Sequence, residues 1–379
     1  MSTTTLRVVL DGAAAALPLG QGRYSLELAR ALVATAPRGC TVHGVIPASP
    51  EHEYALLEER LPELGGLFKS AMDRRQLAAA WQAGFTRLPG SGMVHAPTQL
   101  APLYRHDRVE QPGEQVVVTI HDAIAWTHPE LMPSRRAAWF RAMGRRAQRY
   151  ADAVVVPTHT VAAQIETVLD LGDRLRVIAG AVSGSLVLPE DDDDRAAALA
   201  LPERYVLAVG PFGGQSGIRE LMWSLADLHA PDVPLVIVGA EDDAELDRIQ
   251  QDTRMPEHRV LRLPALPDAD LAVVYARAAA LVVPSVAEGL ALPVLEAMSM
   301  GTPVIHSDAE TLMEVGADAG LVIERGDGAT FPRRLAESMR DLLSDPALAE
   351  ELSVRGRDRA RAFSWRDTAE KTWQLHADL

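Results

Sequence analysis

Short apolar runs alternate with longer helical segments along most of the chain. In the first half, the apolar runs predict five strands, over residues 6–10, 41–46, 116–120, 153–157 and 175–178. Helices are predicted over 23–36 and 134–150. Strands that read as continuous apolar runs are buried on both faces, and their alternation with helices is typical of a parallel sheet with helices on both sides.

The alternation breaks between residues 180 and 203 and then starts again. The break contains Ser183-Gly-Ser185 and the acidic run Glu190–Asp194, which together indicate a domain boundary. Five further strands are predicted after it, over residues 205–210, 235–239, 260–263, 280–284 and 303–306. The pattern predicts two doubly wound α/β domains, over 1–185 and 200–364, with a ligand cleft between the carboxyl ends of their sheets.

The composition of the chain indicates the cell compartment in which the protein is expected. The 379 residues are 47% hydrophobic and 23% charged, which is ordinary for a globular protein with room for two cores. No window of 18 uncharged apolar residues predicts a membrane span, and the amino terminus does not read as a secretory signal. Cys40 is the only cysteine, which excludes an internal disulfide and a cysteine-based metal cluster. These features predict a cytoplasmic protein.

Negative charge is concentrated in the second half of the chain. Residues 1–190 carry 19 basic and 18 acidic side chains, whereas residues 191–379 carry 18 and 34. A protein that binds nucleic acid generally needs a basic surface to replace phosphate counterions. The charge therefore argues against a nucleic-acid partner.

The most informative stretch runs from Pro284 to Pro303. Pro293 suits the first position of a helix and Gly301 suits the position after its end, which predicts a short helix over 293–300. The amides of Leu290, Ala291 and Leu292 are then expected at the positive end of that helix. Gly289, which has no side chain, would allow close approach to this backbone. Such amides can bind an anion.

Two carboxylates, Glu288 and Glu296, bracket these amides. Amides that bind a diphosphate, beside carboxylates that accept hydrogen bonds from hydroxyls, would suit a nucleotide sugar. An ordinary strand–loop–helix connection with a well-placed glutamate is the alternative interpretation. Pro293 and Gly301 alone favour that alternative, because such helix ends are common. The full pattern, which adds the two carboxylates, is much less common.

The stretch Glu288–Glu296 resembles the E-x7-E motif of the retaining nucleotide-sugar glycosyltransferases of family 4, which have the GT-B fold of two Rossmann-like domains. The resemblance extends from about residue 6 to residue 375. Further segments that follow the family's order, several of them similar to its bacterial mannosyltransferase-like branch, are Gly20-Gln-Gly22-Arg23-Tyr24, His95-Ala-Pro97, His121-Asp122, Arg176-Val-Ile178, Gly301–Asp308, Glu314–Gly320, Leu342–Pro346 and Phe363-Ser-Trp365.

The resemblance implies roles for the residues that match. Glu296 would hold the donor ribose, Glu288 would contact the transferred sugar, and the backbone of Gly289, Leu290, Ala291 and Leu292 would face the diphosphate. His121 would contact the donor sugar or stabilise charge near the reacting carbon. Gly20 and Gly22 would keep the first loop thin beside donor and acceptor, and a helix over 365–379 would cross back to the first domain. A hydrogen-bonded histidine at a strand end and an ordinary turn are the structural alternatives for His121 and the glycines.

The loop after Gly210 departs from the family. Gln215 and Ser216 stand where an arginine–lysine pair normally neutralises the donor diphosphate. Arg219 or Arg23 could replace that charge, or the glycines around Gln215 could form an amide nest for phosphate. Ala291 also stands where the family usually has glycine, and we expect it to tolerate ordinary backbone angles only.

The expected reaction is metal-independent and retaining, with no cofactor beyond the nucleotide sugar donor. Relatives of this kind need no metal, and no metal-binding cluster or Asp-x-Asp motif at a strand end is apparent in the sequence. Asp191–Asp194 is interpreted as a solvated run. The acceptor is expected to be a carbohydrate or a lipid-linked molecule.

A helix that spans Arg135–Arg149 is rich in arginine. Trp139, Met143 and Ala147 share one of its faces. The helix could contact anionic lipid at the inner membrane face, or it could be an ordinary exposed helix, which we favour slightly.

Three other functions remain open. Because Gln215 and Ser216 carry no charge, the protein could be a degenerate glycosyltransferase that binds a glycan, a nucleotide or a partner enzyme. A nucleotide-sugar epimerase of the same architecture is a weaker alternative. A dinucleotide-dependent dehydrogenase is disfavoured because the loops after Leu10 and Gly210 lack the pattern Gly-x-Gly-x-x-Gly.

Overall fold

The chain forms two compact units in a computed structural model that describes residues 4–18, 20–106, 113–210, 212–239 and 244–379. The first unit contains Met1–Gly180 together with Ser364–Leu379, and the second contains Ala181–Phe363. The chain therefore enters the second unit within the polar stretch that follows residue 180. Residues 186–199, which lie between the two predicted domains, belong to the second unit.

The first unit is built on a parallel sheet of seven strands in the order β3-β2-β1-β4-β5-β6-β7. The strands are β1 (Thr4–Val9), β2 (Cys40–Ile46), β3 (Gly66–Lys69), β4 (Met93–Ala96), β5 (Val116–Thr119), β6 (Ala153–Val156) and β7 (Leu175–Val177). The strand order reverses direction between β1 and β4, as in doubly wound folds. Strands β3 and β4 were not predicted, because β3 ends in the exposed Phe68 and Lys69 and β4 contains His95, so neither reads as a continuous apolar run.

In the described ranges, six α-helices lie between these strands. They are α1 (Gln21–Ala34), α2 (Glu51–Arg60), α3 (Arg74–Ala83), α4 (Ile124–Thr127), α5 (Ser134–Tyr150) and α6 (His159–Glu166). The predicted bounds of α5 are confirmed, and α1 begins and ends two residues earlier than predicted. Apolar side chains of the central strands and of α3, α5 and α6 form one continuous core.

The second unit contains a parallel sheet of six strands in the order β10-β9-β8-β11-β12-β13. The strands are β8 (Val206–Val209), β9 (Leu235–Val238), β10 (Val260–Leu263), β11 (Ala280–Val283), β12 (Val304–Ser307) and β13 (Leu321–Ile323). The prediction of an α/β fold with two doubly wound parallel sheets is confirmed. Strand β13, which has three residues, was not predicted.

Eight helices accompany this sheet. They are α7 (Asp192–Ala198), α8 (Ile218–Leu225), α9 (Ala244–Thr253), α10 (Asp268–Arg277), α11 (Leu292–Met300), α12 (Glu310–Gly316), α13 (Phe331–Ser344) and α14 (Pro346–Ala360). Helix α8 packs beside α13, and the buried side chains of both helices join the core of the second unit.

The acidic run Asp191–Asp194 is largely exposed, as interpreted from the sequence, and it also has a structural attachment. Most of the run lies in α7, which packs against α10. The Arg277 guanidinium on α10 donates a hydrogen bond of 2.6 Å to the Asp192 carboxylate and also binds Asp193. Ion pairs with an arginine thus attach this segment to the second unit.

Gly316 and Gly320 both pack against one buried histidine, His306. His306 in β12 is fully buried, and its Nδ1 donates to the Ser307 carbonyl over 2.7 Å. A Cβ atom on Gly316 would lie 2.7 Å from His306 Nε2, and one on Gly320 would lie 2.6 Å from the ring. Both positions therefore need glycine because the imidazole occupies the space that a side chain would fill.

The last helix, α15 (Trp365–Asp378), completes the first unit. Ser364 caps its start, Thr368 donates to the Ala179 carbonyl over 2.6 Å, and Trp373 Nε1 donates to the Leu32 carbonyl over 3.1 Å. His376 Nε2 lies 3.3 Å from His95 Nδ1 on β4, and both rings are buried. These contacts attach α15 to both α1 and the sheet.

The His95–His376 pair makes the stability of the first unit depend on pH. Burial lowers the pKa of His95 to about 3 and lowers the pKa of His376 well below its ordinary value. Both rings are therefore neutral in the folded protein at pH values where the unfolded histidines, with pKa about 6.5, bind protons. We expect unfolding free energy to fall as the pH drops below about 6.5, by about 1.4 kcal/mol per pH unit for each buried ring.

Denaturant unfolding between pH 7 and pH 4.5 measures this slope. His376→Gln is expected to reduce the slope by about 1.4 kcal/mol per pH unit, because it removes one titrating group while retaining a polar side chain. His52→Gln is the control, because His52 is exposed on α2. Equal slopes for wild type and His376→Gln would contradict this account.

Candidate functional site

The site in the second unit is centred on the loop that joins β11 to α11. Helix α11 begins at Leu292, one residue before the predicted start, and has Pro293 in its first turn. Gly301 ends the helix with a φ of 78°, as its sequence position predicted. Within the described part of the chain, the amides of Leu290, Ala291 and Leu292 donate to no protein acceptor. They lie at the positive end of the helix dipole.

Ala291 adopts a backbone conformation that favours glycine. Its φ is 53° and its ψ is 48°, so the expectation that alanine would keep ordinary angles here is wrong. A Cβ atom in this left-handed region costs roughly 1–2 kcal/mol. The surrounding loop supplies that energy, because the side chain is buried at the start of α11.

Glu288 is held at its side chain and at its backbone. Its carboxylate accepts a hydrogen bond of 2.7 Å from Ser285 Oγ, and its carbonyl accepts one of 2.9 Å from Thr311 Oγ1 on α12. The side chain is only partly buried. Glu288 is therefore oriented by the protein while part of it remains accessible.

Glu296 lies on the second turn of α11 and is only 4% exposed. Its Oε2 accepts a hydrogen bond of 2.8 Å from the hydroxyl of Tyr275, a buried side chain of α10. The Tyr275 carbonyl in turn accepts a bond of 2.5 Å from Thr302 Oγ1, just past the end of α11. This chain of bonds fixes the orientation of the Glu296 carboxylate.

Gln215 and Ser216 lie directly against the loop that carries Glu288. The Gln215 carbonyl accepts a bond of 2.7 Å from the Val286 amide, and Ser216 Oγ donates 2.8 Å to the Gly213 carbonyl. Gly217 begins α8 with a φ of 68°, and a Cβ atom there would overlap the Pro284 carbonyl oxygen. The structure thus brings the two predicted loop segments together.

Arg219 and Gly210 complete the predicted donor residues. The Arg219 guanidinium lies 3.6 Å from the Asp252 carboxylate on α9, and both side chains are about half exposed. The Gly210 amide donates 2.9 Å to the Val238 carbonyl at the end of β9, and the Phe212 ring occupies the space beside its Cα. Pro211, in the same loop, lies outside the described residues.

His121 in the first unit follows β5 directly. Its Nε2 donates 2.7 Å to the Pro97 carbonyl, which leaves Nδ1 as the acceptor of the neutral ring. Burial lowers its pKa to about 4, although the bond to Pro97 acts in the opposite direction. Its ring meets Tyr24 edge to face, with 4.6 Å between the ring centroids. Burial also raises the pKa of the neighbouring Asp122.

Gly20 and Gly22 shape the start of α1. Gly20 precedes the helix with a φ of 50°, and a Cβ atom on Gly22 would lie 2.5 Å from the Gly12 carbonyl oxygen. Gly22 is therefore required for the close approach of the first loop to the helix. This packing agrees with the expectation of a thin loop, and the proposed contact of these glycines with substrates stays a prediction.

The apolar face of the arginine-rich helix α5 belongs to the core. Met143 and Ala147 are buried, and Trp139 packs against the same cluster. Arg146 donates to the Leu103 carbonyl, whereas Arg135, Arg136 and Arg145 are exposed. The shared face of Trp139, Met143 and Ala147 thus has a structural explanation.

Neither a metal site nor a membrane-spanning helix is found in the described part of the chain. Among the residues that the structure describes, no group of three or more His, Cys, Asp or Glu side chains could hold a metal ion. None of the helices in the described ranges is long and apolar enough to cross a membrane.

Sequence reasoning missed the side chains that orient the two glutamates. Ser285 lies three residues before Glu288 and could have been found as a short-range partner. Tyr275 and Thr311 belong to other elements and reach the site only through the fold. No local sequence signal identifies them.

Two family profiles match the chain. The profile of the family described as "Glycosyl transferases group 1" matches residues 189–359, which contain both glutamates and the glycine-rich loop. The profile described as "Glycosyltransferase Family 4" matches residues 19–183. Together the two profiles span most of both units.

Relatives with assigned names are also glycosyltransferases or synthases. The chain is 28% identical to O-antigen chain mannosyltransferase B of Escherichia coli over 93% of this chain and 94% of that protein. It is 31% identical to alpha-maltose-1-phosphate synthase of Mycolicibacterium smegmatis over 54% and 57% of the two chains.

Solved structures share the fold of the whole chain. Sucrose-phosphate synthase from Thermosynechococcus elongatus superimposes with a TM-score of 0.76 at 24% identity and covers 99% of this chain and 98% of that one. Anabaena HepE in complex with UDP and glucose gives a TM-score of 0.74 at 17% identity, over 99% and 100% of the two chains. Fold and sequence together define a glycosyltransferase with two Rossmann-like domains, the GT-B fold.

Within that class, the chain belongs to glycosyltransferase family 4. The resemblance to family 4 that the sequence motifs indicated is confirmed.

The contact between Gly217 and Pro284 generates a testable prediction. We expect Gly217→Ala to lower the free energy of unfolding by about 2–4 kcal/mol, because it adds left-handed strain to a steric overlap. Gly328→Ala is the matched control, because Gly328 has open space around its Cα and no positive φ. Chemical denaturation of both variants measures the difference. If Gly217→Ala lowers the free energy of unfolding no more than Gly328→Ala does, the two loops are not tightly packed against each other.

Proposed function

We propose that the protein is a retaining hexosyltransferase. It transfers a mannose-type or glucose-type sugar from a nucleotide diphosphate sugar to a hydroxyl of a glycan, glycolipid or small-molecule acceptor. The observation that carries the proposal is the placement of two oriented carboxylates, Glu288 and Glu296, around the amides that precede α11.

Each part of the donor has a residue suited to it. The amides of Leu290, Ala291 and Leu292 would bind the diphosphate at the positive end of the helix. Glu296, fixed by Tyr275, would accept hydrogen bonds from ribose hydroxyls, and Glu288 would accept them from the transferred sugar. In the first unit, Nδ1 of a neutral His121 would accept a hydrogen bond from a sugar hydroxyl.

The proposed chemistry is a displacement with retention of configuration. The bond between the anomeric carbon and the phosphate oxygen breaks, and the acceptor oxygen bonds to the same face of that carbon. The acceptor proton passes to the departing diphosphate. The protein would accelerate this step by positioning the reactants and by stabilising the negative charge on the diphosphate with preorganised amides. No metal or cofactor is part of the proposal.

Named relatives support the sugar and nucleotide classes. O-antigen chain mannosyltransferase B supports a mannose-type donor and a glycan acceptor, and HepE supports a UDP-linked donor. The first name indicates a sugar and the second a nucleotide, so the test includes nucleotides with more than one base. The cytoplasmic location is a further part of the proposal. Contact of the Arg135–Arg149 helix with anionic lipid stays the less favoured alternative to an ordinary exposed helix.

A second candidate function is that of a degenerate binding or partner subunit. The observation that favours it is the uncharged pair Gln215 and Ser216, whose polar groups bind neighbouring backbone. Such a protein would bind a nucleotide, a glycan or another glycosyltransferase without transferring sugar. A nucleotide-sugar epimerase would instead release an altered nucleotide sugar in the absence of acceptor.

Calorimetry with a panel of nucleotide sugars, followed by product analysis, separates these functions. Binding with acceptor-dependent transfer and retained configuration supports the proposal. Binding without turnover for every donor would favour the partner subunit, and acceptor-independent release of an altered nucleotide sugar would favour the epimerase.

Two glutamine variants test the assigned roles. Glu288→Gln is expected to slow transfer about a hundredfold because it removes a charged acceptor from the transferred sugar. Glu296→Gln is expected to weaken nucleoside diphosphate binding about tenfold. Glu350→Gln, at an exposed position of α14, is the matched control. Wild-type rates and affinities in both site variants would remove these assignments.

A further inference from the structure

Arg325, directly after β13, is held from several directions. Its amide donates 3.0 Å to the Asp308 carboxylate, and its carbonyl accepts a bond of 2.7 Å from the Arg334 guanidinium. Its own guanidinium lies over the buried Phe331 ring, 4.6 Å from the centroid, and donates to the Pro284 carbonyl. Sequence reasoning did not single out this residue.

The Pro284 carbonyl that Arg325 binds is also the point where the two loops of the donor site meet. Gly217 packs against this carbonyl, and the Gln215 carbonyl accepts a hydrogen bond from the Val286 amide. The Arg325 guanidinium therefore lies at the junction between the loop that lacks basic side chains and the loop that carries Glu288.

The charge of Arg325 is only loosely compensated. Among the described residues, the carboxylate within 4 Å of its guanidinium is Glu220 in the first turn of α8, at 3.7 Å. That distance exceeds a normal hydrogen bond. The guanidinium side chain is 21% exposed. Arg219 is the other arginine close to this loop, and it faces Asp252 instead.

We infer that Arg325 supplies the positive charge for the donor diphosphate that Gln215 and Ser216 do not supply. The inference rests on the proposed donor site in the second unit. An arginine is always charged and can form charge-assisted hydrogen bonds to phosphate oxygens. Glu220 competes for the same guanidinium, so it moderates the affinity for the diphosphate. A purely structural role, in which Arg325 only fastens the Pro284 carbonyl, is the rival explanation.

Binding of matched ligands with and without phosphate separates the two explanations. Calorimetry of wild type and Arg325→Gln uses UDP, GDP, uridine and guanosine as probes. We expect the variant to bind the preferred nucleoside diphosphate about tenfold to a hundredfold more weakly and the matching nucleoside with unchanged affinity. Arg325→Lys is expected to recover part of the loss, because it retains charge without the forked geometry.

Control variants complete the experiment. Arg333→Gln, which removes an exposed arginine of α13 that pairs with Glu337, is expected to bind both probes as wild type does. Glu220→Gln is expected to raise the affinity for the nucleoside diphosphate about threefold. Most of that gain is expected to be lost when Glu220→Gln is combined with Arg325→Gln.

Three outcomes overturn the inference. An equal loss of nucleoside and nucleoside diphosphate affinity in Arg325→Gln would show that Arg325 only supports the loop. Unchanged diphosphate affinity would show that its charge is not used. If wild type binds neither UDP nor GDP, the proposed donor site is wrong and the inference about Arg325 is wrong with it. In the other two outcomes wild type still binds a nucleoside diphosphate, so only the inference about Arg325 is wrong.

Discussion

The carbonyl group of Pro284 is the point on which the candidate site depends. Gly217 packs against it from the start of α8, and the Arg325 guanidinium binds it from the end of β13. Because the strands of the second sheet are parallel, the chain segments that follow β8, β11 and β13 all emerge at one edge of the sheet. One backbone group can therefore join three segments that are far apart in sequence and hold Glu288 next to the amides before α11.

The sequence predicted most of the fold because the central strands are apolar on both faces. Strands such as β5 and β6 consist of buried valine, alanine and threonine side chains only, and a continuous apolar run reveals them directly. Strand β4 was missed because it is short and includes His95, whose burial depends on a partner in the last helix of the chain. The exposure of the acidic run after residue 190 was predicted, but its ion pairs were not, since Arg277 lies about 85 residues away.

The candidate site was predictable where its interactions are local. The spacing of Glu288, Pro293, Glu296 and Gly301 reflects one loop and one short helix, whose caps are determined by neighbouring residues. The left-handed conformation of Ala291 was not predictable, because side-chain type alone favours ordinary angles there. The roles of Tyr275 and Arg325 depend on contacts across 21 and 41 residues of sequence, which only the fold brings together.

Helix α15 has a consequence for the order in which the protein is made. The first unit needs the last residues of the chain, so it cannot be completed until residues 181–363 have left the ribosome. At about 5–20 residues per second, that delay is roughly 10–40 seconds. During this interval the surface around Leu32 and His95 lacks the helix that later covers it. The second unit therefore has time to fold before this surface of the first unit is covered.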